Sequence, residues 1–294
     1  MLGQAAATPT NLTRLIHHFR SGALLVRSWP LAGGVSARVT AVEIRLAHGQ
    51  AERLVVREYG ARDLQANPDI ARQEFRVLRA LHAAHLPVPQ PHYFETGALV
   101  TEFMEGQPEF EPADGASCVR QMAAFLARLH AIPPTRFSFL RPLALPSPCP
   151  RQPDESLSES RIRDALNRLD TPLSTRPVVL HGDVWPGNIL WSGGRLTAVI
   201  DWEDAARGDP LADVGNARLE LLFFLGVKAL HAFTSEYAVL SGANMTVLPH
   251  WDLRAALRLC GRLGDWGLEQ GLERQMRQRH QEFVDGALEQ IQQT

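Results

Sequence analysis

The hydrophobic period of this chain changes once, near residues 104–108, and that change limits the folds open to it. After a short helical stretch over residues 11–20, apolar residues alternate in "ALLVRSWPL", "RVTAVEIRLA" and "AERLVVREYG". Alternation puts one face of a strand in a core and the other in water. "HGQ" is the turn between the second and third runs. "NPDIARQEFRVLRALHAAHL" interrupts them with a helical stripe of Ile70, Phe75, Leu78 and Leu81, with Asn67 as its expected cap and Pro68 in its first turn. "PHYFETG" and "ALVTEFMEG" supply two further short strands. The first hundred residues therefore predict five strands, three of them consecutive and antiparallel, with one embedded helix.

Beyond the polar connection "GQPEFEPADG" the spacing is helical. Residues 116–131 predict a helix that buries Met122, Phe125, Leu126 and Leu129. The proline-rich stretch 132–155 cannot be a long helix or a central strand and predicts a surface excursion. Three or four helices follow Pro210. The expectation is an α+β fold in two parts, a small sheet-based part over residues 1–105 and a larger, mainly helical part over residues 106–294.

Composition narrows the function. The chain has 294 residues, 45% of them apolar, and a net charge of −2, so neither disorder nor a nucleic-acid partner has support. No window approaches 18 uninterrupted apolar residues, and "MLGQAAATPT" has neither the basic nor the apolar region of a secretory leader. Cys118, Cys149 and Cys260 are far apart and odd in number, without metal-ligand spacing. A cytoplasmic protein with no membrane partner is expected. Lys228 is the only lysine, so a chemistry that needs a lysine elsewhere is excluded.

The most informative segment is "VVLHGDVWPGNILWSGGRLTAVIDWEDA", residues 178–205. Two apolar runs, joined by the turn "SGG", carry polar residues at their ends. His181, Asp183 and Asn188 space as H-x-D-x-x-x-x-N, and Asp201 follows after one hairpin. A carboxamide oxygen and a carboxylate are hard ligands suited to Mg²⁺, which takes its remaining ligands from water and phosphates. Asp183 can accept a proton from a hydroxyl that attacks a metal-bound phosphate. Asp, Gly, Pro and Asn also populate ordinary turns, but the full spacing is uncommon by chance. A two-metal phosphoesterase, the other chemistry that uses "HGD" and "GN", would want a D-x-H element, which none of the aspartates provides.

"HGDVWPGNIL" and "VIDWEDAARGDPLADVG" resemble the catalytic and metal-binding motifs of the aminoglycoside phosphotransferase and choline kinase group, small-molecule kinases with a protein-kinase-like fold. The resemblance spans about residues 20 to 280 and is specific in these two motifs. It implies Asp183 as catalytic base, Asn188 and Asp201 as magnesium ligands, His181 as a brace of the loop and Asp213 as its anchor. It also implies an ATP clamp in the first part. Gly33, Gly34 and Ser36 of "LAGGVSARV" would approach the phosphates. Arg57 would stand where the protein-kinase pattern has lysine, paired with Glu74 of the embedded helix. The backbone at Glu102 and Met104 would bond the adenine edge. The implied activity is transfer of the ATP γ-phosphate, with Mg²⁺, to a hydroxyl of a small acceptor. The alternative is a catalytically inactive nucleotide-binding scaffold, for which Arg57 is the best argument. For the acceptor, Glu203, Asp204 and Asp209 are candidate acidic contacts, and Trp251 and Trp266 candidate walls, although core packing is the favoured reading of the tryptophans.

Overall fold

Alternation in the first hundred residues resolves into one five-stranded antiparallel sheet. The computed structural model describes residues 12–31, 37–145, 151–168 and 176–293. Its chain divides into two units, one of residues 1–106 with 197–203, the other of residues 107–196 with 204–294. Residues 197–203 thus group with the first unit.

The first unit runs α1 (Leu12–Phe19), β1 (Leu24–Pro30), β2 (Ala37–Arg45), β3 (Ala51–Tyr59), α2 (Ala61–Ala66), α3 (Ile70–His82), β4 (Pro91–Glu95) and β5 (Ala98–Glu102). The sheet order is β1-β2-β3-β5-β4, every pair antiparallel. Leu15 and Ile16 of α1 meet Ile44, Leu54, Val56 and Val100 in a core that excludes solvent. The embedded helix begins at Ile70, two residues later than a cap at Asn67 would start it. Asn67 spends its side chain on the Asp69 N–H at 3.3 Å, an Asx turn that holds residues 67–69 outside the helix. The short α2 buries no residue, so it left no apolar stripe to read.

The second unit holds α4 (Gly115–His130), α5 (Glu159–Arg168), β6 (Val178–Leu180), β7 (Ile189–Ser192), β9 (Ala206–Gly208), α6 (Leu211–Leu225), α7 (Val227–Ser241), α8 (Leu248–Leu259) and α9 (Gln270–Gln292), while β8 (Arg195–Val199), the partner of β7, straddles the boundary at residue 197. Asp114 caps α4 by accepting the Ser117 N–H at 2.9 Å. The proline-rich stretch is anchored rather than free. Phe137 and Leu140 are buried, and Pro142 bridges to Arg207 beside β9. Cys149 lies outside the described residues, while Cys118 and Cys260 are buried free thiols. Among the described residues no helix is long and apolar enough to cross a membrane.

Helix α6 is buried on all sides because α7, α8 and α9 surround it. Gly215 lets α8 approach closely, since a Cβ there would lie 2.8 Å from the Trp251 carbonyl. One turn on, Arg218 donates two hydrogen bonds to Asp252 of α8 at 2.9 and 3.0 Å. Both partners are buried, so removing one strands the other's charge. Asp252→Ala is expected to lower the unfolding free energy by about 3–5 kcal/mol, measured as a lower denaturant midpoint with an unchanged slope.

Candidate active site

In the second unit, β6 delivers residues 181–183 from a core strand into a tight loop. Gly182 takes φ +88°, and a Cβ on it would fall 2.4 Å from the Asp204 carbonyl oxygen, so only glycine fits. The loop's anchor is Asp213 in the first turn of α6. Its Oδ2 accepts the His181 N–H at 2.8 Å, its Oδ1 accepts the Gly182 N–H at 2.9 Å, and His130 Nε2 lies 3.2 Å from Oδ2. Burial alone would raise the Asp213 carboxyl. The hydrogen bond and charge of His130, the nearby His181 and the Gly182 amide outweigh it and hold the group below its usual range. His130 is oriented in turn by the Tyr237 hydroxyl, 2.7 Å from Nδ1.

His181 is fully buried, and its Nδ1 accepts the Asp183 N–H at 3.2 Å. Asn188 closes a single 3-10 turn, Pro186–Asn188, and its amide nitrogen donates to the Asp183 carbonyl at 2.9 Å and to Asp183 Oδ2 at 3.3 Å. Asp183 and Asn188 are therefore brought together as a unit. Because the carboxamide nitrogen is spent on Asp183, its oxygen is the atom left for a hard cation.

Two residues of this loop's surroundings escaped sequence reasoning. Arg258 of α8 donates to the Gly182 carbonyl at 2.7 Å and to Asn216 Oδ1 at 2.9 Å, and its Nη2 stands 3.4 Å from Asp183 Oδ1. Glu220 of α6 is buried, and burial together with the charge of Asp183 pushes its carboxyl up to about 8, against the opposing pull of Arg258. A lone glutamate inside the apolar run "ARLELLFFL" was the available signal.

In the first unit, Arg57 on β3 is ringed by acids. Its Nη2 donates to Asp201 Oδ1 at 2.8 Å and to Glu203 Oε2 at 2.6 Å. Glu74 Oε2 lies 3.8 Å from Nε, a charge contact without a hydrogen bond, and that Nε has no hydrogen-bond partner. Glu74 is buried and accepts instead from the Tyr59 hydroxyl and from the Trp202 N–H at 3.2 Å. The length of the guanidinium accounts for this arrangement, because its Nε stands beside Glu74 while one terminal nitrogen, Nη2, reaches past it to the other two acids. Burial would lower the Arg57 pKa, but Glu74, Asp201 and Glu203 together raise it. Asp201 itself sits at φ +65°, the left-handed region that side chains other than glycine rarely occupy.

Glu102 ends β5, with its N–H donated to the Gln90 carbonyl at 2.8 Å and its carboxylate accepting the Gln90 N–H at 3.3 Å. Met104 follows just outside the strand. Gly33, Gly34 and Ser36 lie outside the described residues. Of the acids expected near an acceptor, Glu203 is turned to Arg57 and Asp209 caps α6 through the Leu211 N–H at 2.9 Å. The Asp204 side chain is exposed. Trp251 is buried, and Trp266 is exposed.

Comparison with known proteins adds a family and a fold. The model of the Phosphotransferase enzyme family matches residues 29–244. Among curated proteins, acyl-CoA dehydrogenase family member 10 of Mus musculus is 27% identical over 198 residues, 58% of this chain and 18% of that protein. Acyl-CoA dehydrogenase family member 11 of Rattus norvegicus is 28% identical over 230 residues, 63% of this chain and 29% of that protein. The chain thus spans less than a third of the curated relatives it matches. Among solved structures, a spectinomycin phosphotransferase in complex with ADP and spectinomycin superimposes with a TM-score of 0.64 at 13% identity, covering 96% of this chain and 98% of that one. The GDP complex of an aminoglycoside 2′-phosphotransferase gives 0.62 at 19% identity, with 96% and 95% covered. A macrolide 2′-phosphotransferase type I gives 0.58 at 18%, with 96% and 97% covered. These structures share the kinase-like fold.

Glu220 makes a pH prediction. Its folded carboxyl titrates near 8 instead of 4.5, so between those values the folded chain holds a proton that the unfolded chain has lost. This contribution is complete below about pH 4.5 and fades as pH rises through about 8. Glu220→Gln removes it, so thermal unfolding of the variant is expected to lose less stability than the wild type between pH 6 and pH 9.

Proposed function

From a chain that belongs to the Phosphotransferase enzyme family, we infer an ATP-dependent phosphotransferase that uses Asp183 to activate a hydroxyl of a small acceptor. The observation that carries the reading is the built loop around Asp183. A buried carboxylate, a buried histidine and a carboxamide all hold its backbone or side chain in place. Such a base does not drift, which general-base catalysis needs, since the proton must pass over a hydrogen-bond distance. The acceptor oxygen would attack the γ-phosphorus as its proton passes to Asp183, and ADP would leave.

The residues present also fit a magnesium ion. Among the described residues no group of three or more His, Cys, Asp or Glu side chains forms a self-sufficient metal cage. Mg²⁺ does not need one, because it keeps waters and takes phosphate oxygens. In the second unit Asn188 would offer such an ion its carboxamide oxygen, and in the first unit Asp201 would offer the carboxylate oxygen not bonded to Arg57. When bound, the ion supplies neutralisation of the triphosphate charge. In the first unit three carboxylates share the single guanidinium of Arg57, a local excess of negative charge that favours a divalent cation. Arg57 keeps its charge at every accessible pH, so a phosphate role for it survives the loss of lysine, with altered geometry. The backbone near Glu102 and Met104 is the proposed adenine edge.

The inactive-scaffold reading draws on the same Arg57, whose terminal nitrogen is already engaged by two acids. ATP turnover against a broad panel of alcohols separates the two, because a scaffold binds nucleotide and never transfers phosphate. Asp183→Asn is expected to reduce turnover by about 10²–10⁴-fold while leaving nucleotide affinity largely intact. Activity equal to wild type in that variant would remove the base. Asp201→Ala is expected to abolish the magnesium-dependent part of ATP binding, seen in calorimetry with and without the metal.

A further inference from the structure

A cavity of about 680 Å³ opens beside the Asp183 loop, entirely within the second unit. That volume is in the range of small-molecule sites, ~300–1,000 Å³. Its lining has an unusual charge. Arg151, Arg163, Arg254, Arg258 and Arg262 line it, against the two carboxylates Asp204 and Asp213. Asp213 is already committed to the His181 and Gly182 amides. Arg151 and Arg163 share one carboxylate, Glu159, at 2.8 Å each.

Arg254 stands apart from Arg151, Arg163 and Arg258. It makes no ion pair among the described residues, it lies 5.5 Å over the Trp251 ring, and its Nε is buried without a hydrogen-bond partner. Burial lowers its pKa, and no acid beside it counters the effect. Trp251 Nε1 and His250 Nδ1 are orphaned in the same way. Three of the five buried polar atoms without a partner among the described residues thus fall in one five-residue stretch of α8. A buried donor left unpaired is costly, and its usual explanation is a missing partner. Trp251, Arg254, Ala255 and Arg258 recur at helical spacing and present one face of α8 to the cavity. Arg258 links that face to Asp183 at 3.4 Å. Opposite stand apolar side chains, Leu143, Leu145, Leu180, Ala206 and Ala212 among them.

We propose that this cavity seats the acceptor, and that the acceptor is an oxyanion, a carboxylate or phosphate carried on an apolar body that also bears the reacting hydroxyl. The proposal rests on reading Asp183 as the base. The Arg254 guanidinium grips the anionic end, and the apolar wall takes the chain. A polycationic acceptor is disfavoured, since among the described residues it would meet five guanidinium groups against one exposed carboxylate, Asp204.

The test uses four eight-carbon probes, octanoate, octyl phosphate, 1-octanol and octylamine, titrated calorimetrically into the full chain at low salt. Both anions are expected to bind at least about tenfold more tightly than octylamine. Arg254→Gln is expected to cost the anions at least about tenfold and to leave 1-octanol unchanged. Octylamine binding as well as octanoate, anion affinity indifferent to Arg254→Gln, or no anion binding at all overturns the proposal. The positional isomers of hydroxyoctanoate, offered with ATP and Mg²⁺, separate it from the phosphotransfer reading. Anion binding without any transfer defeats the role of Asp183 and leaves the anion site standing. Transfer to amino alcohols without anion binding does the reverse.

Discussion

A buried carboxylate is tolerated when hydrogen bonds replace the water it has lost, and the second unit is arranged around one such group. Asp213 collects two backbone amides and an imidazole at 2.8–3.2 Å. Those amides belong to His181 and Gly182, so the carboxylate fixes the two residues that immediately precede Asp183. The energetic logic runs both ways. Without the loop amides Asp213 would be an uncompensated buried charge, and without Asp213 the loop would expose unpaired N–H groups inside the protein. Gly182 completes the arrangement, because its left-handed backbone is what turns both amides toward one carboxylate.

The first unit solves a different electrostatic problem. Arg57 is deeply buried, and a guanidinium taken from water needs several acceptors. Asp201, Glu203 and Glu74 supply more negative charge than one arginine cancels. One terminal nitrogen of Arg57 donates to both Asp201 and Glu203, while its Nε faces Glu74, so the extended guanidinium spreads one charge over acids that a compact ammonium would have to meet at a single point. The strained backbone of Asp201 belongs to this cluster. Its left-handed conformation persists because the ion pair with Arg57 and the neighbouring Trp202 N–H bond to Glu74 over-determine the turn.

The sequence revealed unevenly. The sheet, the embedded helix and α4 were legible because period-2 and period-3.6 burial leave a trace in every few residues. The Asp183–Asn188 loop was legible through spacing, whereas Asp213 as its anchor came only through the family resemblance. What escaped has a common cause. Glu220 and Arg258 reach Asp183 from α6 and α8, and helix packing, which single-sequence periodicity does not encode, brings them there. Asn67 looked like a cap, yet the local competition between an Asx turn and a helical turn was decided by Pro68 and the packing of Ile70. Glu203 and Asp209 read as acids free for an acceptor because a sequence shows charge without showing what that charge is already bonded to.

That last point governs how the acceptor side should be reasoned about. Counting acids near the motif suggests a site for cations, whereas following each acid to its partner removes Glu203 and Asp209 from the wall. Counting arginines has the same weakness, and here the partners again decide. Arg151 and Arg163 are neutralised in part by Glu159, and Arg258 is tied to the loop. Arg254 lines a cavity with apolar walls and has no acid beside it to counter its burial. A guanidinium held against apolar walls without a counter-charge costs the free protein stability. A ligand that brings an oxyanion to it recovers that cost on binding, so the same feature that weakens the empty pocket would make it selective.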